Sequence, residues 1–247
     1  MSGLRFGAVL AACLALAGCV QPVVAPVPPA ALQARPMAPP QLSPQAAAEN
    51  FISVVERVEP VAEAICRDRT RGRANCDLQI VIDRQMNMPP NAFQTLDEAG
   101  RPVVGFTIAL IADARNADEL AFVLGHEASH HILGHIPRQQ QTAMTGAVLG
   151  SVLGQITGAD AAGMEEWQRI GASVGARRYS KGFELEADAL GAEIAFYAGY
   201  DPVLGAGFFS RLPDPGDEFM GSHPANTQRQ AQIAAVVARL KAQQAGY

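Results

Sequence analysis

His126-Glu127-Ala128-Ser129-His130 constrains this chain more than any other stretch. Four residues along an α-helix make about one turn, so both imidazoles project from one face and can share a metal ion. Glu127 follows the first histidine directly, where its carboxylate can act as general base on water activated by that metal. The pattern is a ready-made site for one Zn2+ ion per chain, and the neighbouring residues predict the helix it requires. Asn116-Ala117-Asp118-Glu119 reads as a capping box, and Leu120, Val123 and Leu124 give the apolar stripe that follows. The helix is predicted from about Ala117 to Ile136, with Pro137 beyond its end.

The N-terminus, residues 1–18, reads as an export signal. Arg5 supplies the positive charge, and Phe6 to Ala17 is an apolar run too short to span a bilayer. Leu16-Ala17-Gly18-Cys19 closes it like a bacterial lipobox, in which Cys19 is acylated and becomes the mature N-terminus; Ala15-Leu16-Ala17 also fits ordinary secretory cleavage. Val20 follows the cysteine, and by analogy with lipoprotein sorting this implies the periplasmic side of the outer membrane. Attachment through an N-terminal lipid anchor needs no transmembrane helix. Residues 19–46 are rich in Pro, Ala and Gln and nearly free of charge, which predicts an extended tether. Residues 47–247 suffice for one domain with a substantial core.

The net charge is −5, and the basic residues are scattered, a distribution that gives no nucleic-acid surface. Cysteine usage agrees with export. Cys13 leaves with the signal and Cys19 carries lipid, so the domain keeps Cys66 and Cys76, which are expected to pair in an oxidising compartment. Two free thiols are the alternative.

Along the domain, Ala46 to Cys66 predicts a helix with Phe51, Val54, Val55, Val58, Val61, Ala62 and Ile65 at helical spacing. Leu78 to Ile82, Ala92 to Leu96 and Val103 to Leu110 read as strands, the last two joined by Asp97-Glu98-Ala99-Gly100. That order suggests a small antiparallel sheet ahead of the metal helix. Thr142 to Gly158 carries no charge and has glycine at 146, 150, 154 and 158. It is open to three readings: a membrane-dipping element, a lid over the cleft, or a tightly packed helix or loop. Glu165 to Arg178 and Phe183 to Ala198 are predicted as separate helices. A last helix opens at Pro224, with Ile233, Val236, Val237 and Leu240 on its inner side.

A catalytic zinc needs three protein ligands and an open position. For the metzincin spacing Gly134 falls one residue late and His135 one residue early, and helix phase turns His135 away from His126. His131 and His135 are therefore expected to be packing or surface residues. Glu184 and Asp188, four apart on a second helix, offer another route: Glu184 as ligand, and Asp188 behind it, orienting an imidazole. Glu186 is expected to face solvent. Before the pattern is considered, an ordinary surface carboxylate is the better reading of Glu184.

His126-Glu127-x-x-His130 followed by Glu184-x-x-x-Asp188 resembles the gluzincin metallopeptidases that include HtpX, BepA and the CaaX prenyl protease. Asn91-Ala92-Phe93, Asp118-Glu119-Leu120-Ala121, Tyr179-Ser180, Ala198-Gly199-Tyr200-Asp201-Pro202 and Ser222-His223-Pro224 extend the likeness over roughly Pro90 to Leu240. Lys181 departs from it, standing where relatives commonly carry Arg. The resemblance implies an α+β, predominantly helical zinc-peptidase domain with a small antiparallel sheet edging the active-site cleft. It also implies a role for His223, either stabilising the oxyanion or binding zinc as a fourth ligand that holds the enzyme latent; a plain helix cap is the alternative.

The chemistry expected is zinc-dependent hydrolysis of peptide bonds, with Glu127 moving the proton. A strand such as Val103 to Leu110 is expected to receive an extended substrate by β-addition. By resemblance, the substrates are unfolded or misassembled envelope proteins and the role is quality control. A chaperone or assembly factor for outer-membrane proteins, with latent or incidental proteolysis, is the competing expectation.

Overall fold

The computed structural model describes residues 42–211 and 224–246, with the backbone alone at 177–180. The export signal, Cys19, most of the expected tether and His223 lie outside the described residues.

The first helix, α1 (Pro44–Thr70), starts two residues earlier than its apolar pattern predicts. The Ser43 hydroxyl caps it by accepting from the Ala46 N–H, and Pro44 sits in the first turn, where no intrahelical donor is needed. Its inner face, Phe51, Val54, Val58, Ala62 and Cys66, is buried. A disulfide joins Cys66 to Cys76, with their Cα atoms 5.8 Å apart, and ties the end of α1 to the chain entering the sheet. Closing so short a loop contributes about 3 kcal/mol in the chain-entropy picture.

The strands are β1 (Gln79–Asp83), β2 (Ala92–Leu96) and β3 (Pro102–Thr107), in the order β1-β3-β2. The sheet is mixed, not antiparallel: β3 pairs antiparallel with β2 but parallel with β1. The link from β1 carries the chain past β3 to its far side, and the tight hairpin of this sheet joins β2 to β3. There the Asp97 carboxylate accepts from the Ala99 and Arg101 N–H groups, and Gly100 supplies a φ of 75°. Being central, β3 has no free edge for a substrate; β1 and β2 are the two edges, and β2 is the one that lines the cleft described below. The expected strand to Leu110 also ends early. The Thr107 hydroxyl accepts from the Leu110 N–H and caps α2 (Ile108–Asp113), an outcome a short apolar run leaves open.

The motif-bearing helix is α3 (Ala117–Ile132). The Asn116 side chain accepts from the Glu119 N–H, and the Glu119 carboxylate reaches back to the Arg115 N–H, one residue before the cap. The helix stops at Leu133, because Gly134 takes a φ of 64°. A new helix, α4 (His135–Ile156), starts at once, and Pro137 lies in its tolerant first turn rather than beyond α3. Next comes α5 (Ala161–Tyr197), one continuous helix where two were expected. Gly182 lies inside it without ending it, since a single glycine lowers helix propensity by only about 1 kcal/mol. The chain finishes with α6 (Pro202–Gly205), a 3-10 helix (Ala206–Arg211) and α7 (Asn226–Gln244), which begins two residues after Pro224.

The uncharged glycine segment is helical and packs along α5. A Cβ at Gly146 or Gly150 would collide with backbone carbonyls of Gly171 or Trp167, so the two helices touch backbone to backbone. Met144, Val148, Leu149 and Val152 on α4, with Ile170 and Val174 on α5, remain exposed. Among the described residues, no helix is long and apolar enough to cross a membrane.

A second close approach positions the site. Gly125 on α3 lies against Gly191 on α5, where a Cβ on Gly191 would sit 2.7 Å from the His126 nitrogen and 2.8 Å from its Cα. Both neighbours are backbone atoms and cannot swing aside. Gly191→Ala is therefore expected to part the helices, destabilising the zinc-free protein by about 1–3 kcal/mol in urea unfolding. It should also weaken zinc binding, because Glu184 and Asp188 ride on the displaced helix. Unchanged stability and affinity would show that this contact does not set the helix spacing.

Candidate metal centre

Helix α3 presents His126 and His130 one turn apart, and α5 presents Glu184 opposite them. His126 Nε2 and His130 Nε2 are 3.1 Å apart, and each lies 3.6 Å from an oxygen of Glu184. Zinc bonds of about 2.0–2.2 Å in a tetrahedron place ligand atoms about 3.3–3.6 Å from one another. The three donors therefore already converge at the separations one ion demands, as a group able to hold a metal. His130 is kept neutral for that role: burial, helped by His126, lowers its pKa to about 3.

Behind the donors stands a polar scaffold. His126 Nδ1 donates to Asp188 Oδ1 at 2.9 Å, so its Nε2 is free to face the metal. Burial opposes charge on His126, but the hydrogen bond and charge of Asp188, with Glu184 and Glu127, outweigh it and raise its pKa. Asp188 is fully enclosed and held by Arg229, whose Nε and Nη2 each donate at 2.7 Å. Burial would raise the Asp188 pKa, yet these bonds and that of His126 bring it below the usual carboxylate value. Arg229 Nη2 also lies 3.4 Å from Glu184 Oε2, and its guanidinium lies 3.8 Å from the centroid of the Phe209 ring. Removing one member of so buried a pair leaves an uncompensated charge, at a cost of about 3–5 kcal/mol.

Glu127 lines the same cleft, a cavity of about 500 Å3 that also takes in Asn91, Phe93, Phe122 and Phe183. Burial pushes its carboxyl up to about 6, against the opposing charge of His126. With Glu127 ionised and His126 neutral, as a metal ligand must be, three carboxylates face one guanidinium, leaving two net negative charges at the site. A divalent cation is their complement.

Some of this geometry departs from the sequence pattern. Because α3 stops before Gly134, His135 turns back and its Nδ1 lies 2.8 Å from Nδ1 of His130, although unbroken helix phase would turn it away from the metal face. His131 binds the Asn75 carbonyl at 2.6 Å, away from the metal donors. Glu186 is half-exposed but not simply solvated, since it pairs with His135 and Arg138. Arg229 is marked in the sequence only by its place four residues before Ile233, on the inner stripe of α7, where a charge needs a partner.

Two histidines and a glutamate with an adjacent carboxylate base make up the donor set of a catalytic zinc, and the chain is a zinc metallopeptidase. Residues 55–237 match the model of peptidase family M48, and the chain belongs to that family. No curated protein matches it.

Proposed function

We propose that the chain is an endopeptidase that cleaves extended segments of unfolded or misassembled envelope proteins, acting from the periplasmic side of the outer membrane. The observation that carries this reading is the free edge of β2 beside the metal donors. Ala92, Phe93 and Gln94 line the same cleft as His126 and Glu127. A substrate segment can add to that edge by main-chain hydrogen bonds, which recognise extension rather than sequence. Folded proteins rarely offer such a segment, so unfolded chains are the natural substrates.

His126, His130 and Glu184 would hold the zinc, which supplies Lewis acidity to the scissile carbonyl and to water. Glu127 accepts the proton of the attacking water and passes it to the leaving amine, and a pKa raised by burial suits both steps. Asp188 and Arg229 hold His126 and Glu184 in place throughout. Attachment by a lipidated Cys19 accords with the lipobox-like sequence, and the Cys66–Cys76 disulfide suits an oxidising compartment.

The purified protein is expected to cleave casein in a zinc-dependent way. Glu127→Gln should keep its zinc while losing about 10²–10⁴-fold in rate, the usual share of a general base. Cleavage that persists in Glu127→Gln would remove Glu127 from the mechanism. Zinc binding without cleavage by the parent would favour a holding or assembly role. For the anchor, Cys19→Ala is expected to abolish labelling by a fatty-acid probe and to prevent release of the mature form. Equal labelling of parent and variant would contradict lipidation there.

A further inference from the structure

We propose that His135 and Glu186 form a second orienting chain at the metal centre, one that fixes the tautomer and rotation of the ligand His130. This rests on the zinc centre described above. His130 turns Nε2 toward His126 and Glu184, so Nε2 is its donor atom and carries no proton. The His130 proton is therefore on Nδ1, 2.8 Å from Nδ1 of His135. That nitrogen of His135 must accept, which leaves the His135 proton on Nε2, 3.2 Å from Glu186 Oε2. An ionised carboxylate only accepts, so the chain runs one way, from His130 through His135 to Glu186.

The far end is anchored. Arg138 donates to both oxygens of Glu186. The His135 ring stacks on Phe183 with centroids 4.6 Å apart and planes within 12°, and the Arg138 guanidinium lies 4.3 Å from the same ring. His135 is only 4 % exposed, so the imidazole has little freedom to turn. The arrangement repeats, on the second histidine, what Asp188 does for His126. One stretch of α5 thus carries the ligand Glu184 and the carboxylates that orient both imidazoles, Glu186 and Asp188. The break at Gly134 makes this possible by returning His135 toward the helix that has just ended.

His135 and Glu186 are positioning residues, and the readout is zinc affinity, measured on the purified protein by competition with a chromogenic chelator. His135→Phe keeps a ring against Phe183 but offers His130 no acceptor. It is expected to bind zinc about 10–100-fold more weakly, the usual effect of losing such a partner. His135→Asn, with a side-chain oxygen near the position of Nδ1, should recover most of that loss. Equal affinity in the parent and His135→Phe would overturn the proposal, as would a loss that His135→Asn does not reduce. If His135→Phe does not fold, nitrogen NMR of the zinc-loaded parent decides instead. His135 must be the neutral Nε2–H tautomer, and an Nδ1–H tautomer or an imidazolium overturns the chain. A parent that binds no zinc would overturn the metal centre, and this proposal with it.

Discussion

Where Gly125 meets Gly191, helices α3 and α5 touch backbone to backbone, and the metal centre depends on that contact. At Gly125 and Gly191 the two backbones are so close that one added methyl group would strike main-chain atoms of His126. Bringing the axes this near lets short carboxylates on α5 reach imidazoles on α3 directly. The same device recurs where α4 and α5 pack, so α5 is held along much of its length by glycine contacts. Its rigidity passes to Glu184, Glu186 and Asp188, which lie at alternate positions along one stretch of that helix.

Electrostatics then finishes what sterics begins. A buried carboxylate is unfavourable unless paired, and Asp188 is paired twice, to His126 and to Arg229. Arg229 in turn spans Asp188 and Glu184, so one guanidinium couples a metal donor to the group that orients another. The cost of enclosing these charges is offset by hydrogen bonds that leave His126 and His130 free to present Nε2. The result is a site arranged for a cation before one arrives, with Glu127 in the adjoining cleft.

What was legible in the sequence was local. The spacing of His126 and His130, the Asn116 cap and the pairing of Glu184 with Asp188 all follow from helix periodicity. The strand at Ala92–Leu96 and the turn at Asp97–Gly100 follow from equally short signals. What was not legible depends on where a helix stops or what lies across the fold. The left-handed Gly134 re-aims His135, and without that break helix phase gives the wrong direction for its side chain. The parallel pairing of β1 with β3 depends on a crossover that strand propensity does not encode. The continuity of α5 through Gly182 depends on its packing partners. Arg229 had only a charge on an apolar stripe to mark it, and its partners lie 41 and 45 residues away in sequence.

X-ray absorption on the zinc-loaded protein tests the centre most directly. The account predicts a low-coordinate shell of two imidazole nitrogens and one carboxylate oxygen, with a remaining light ligand that the protein need not supply. A sulfur ligand, or a shell that lacks the two imidazoles or the carboxylate oxygen, would contradict it.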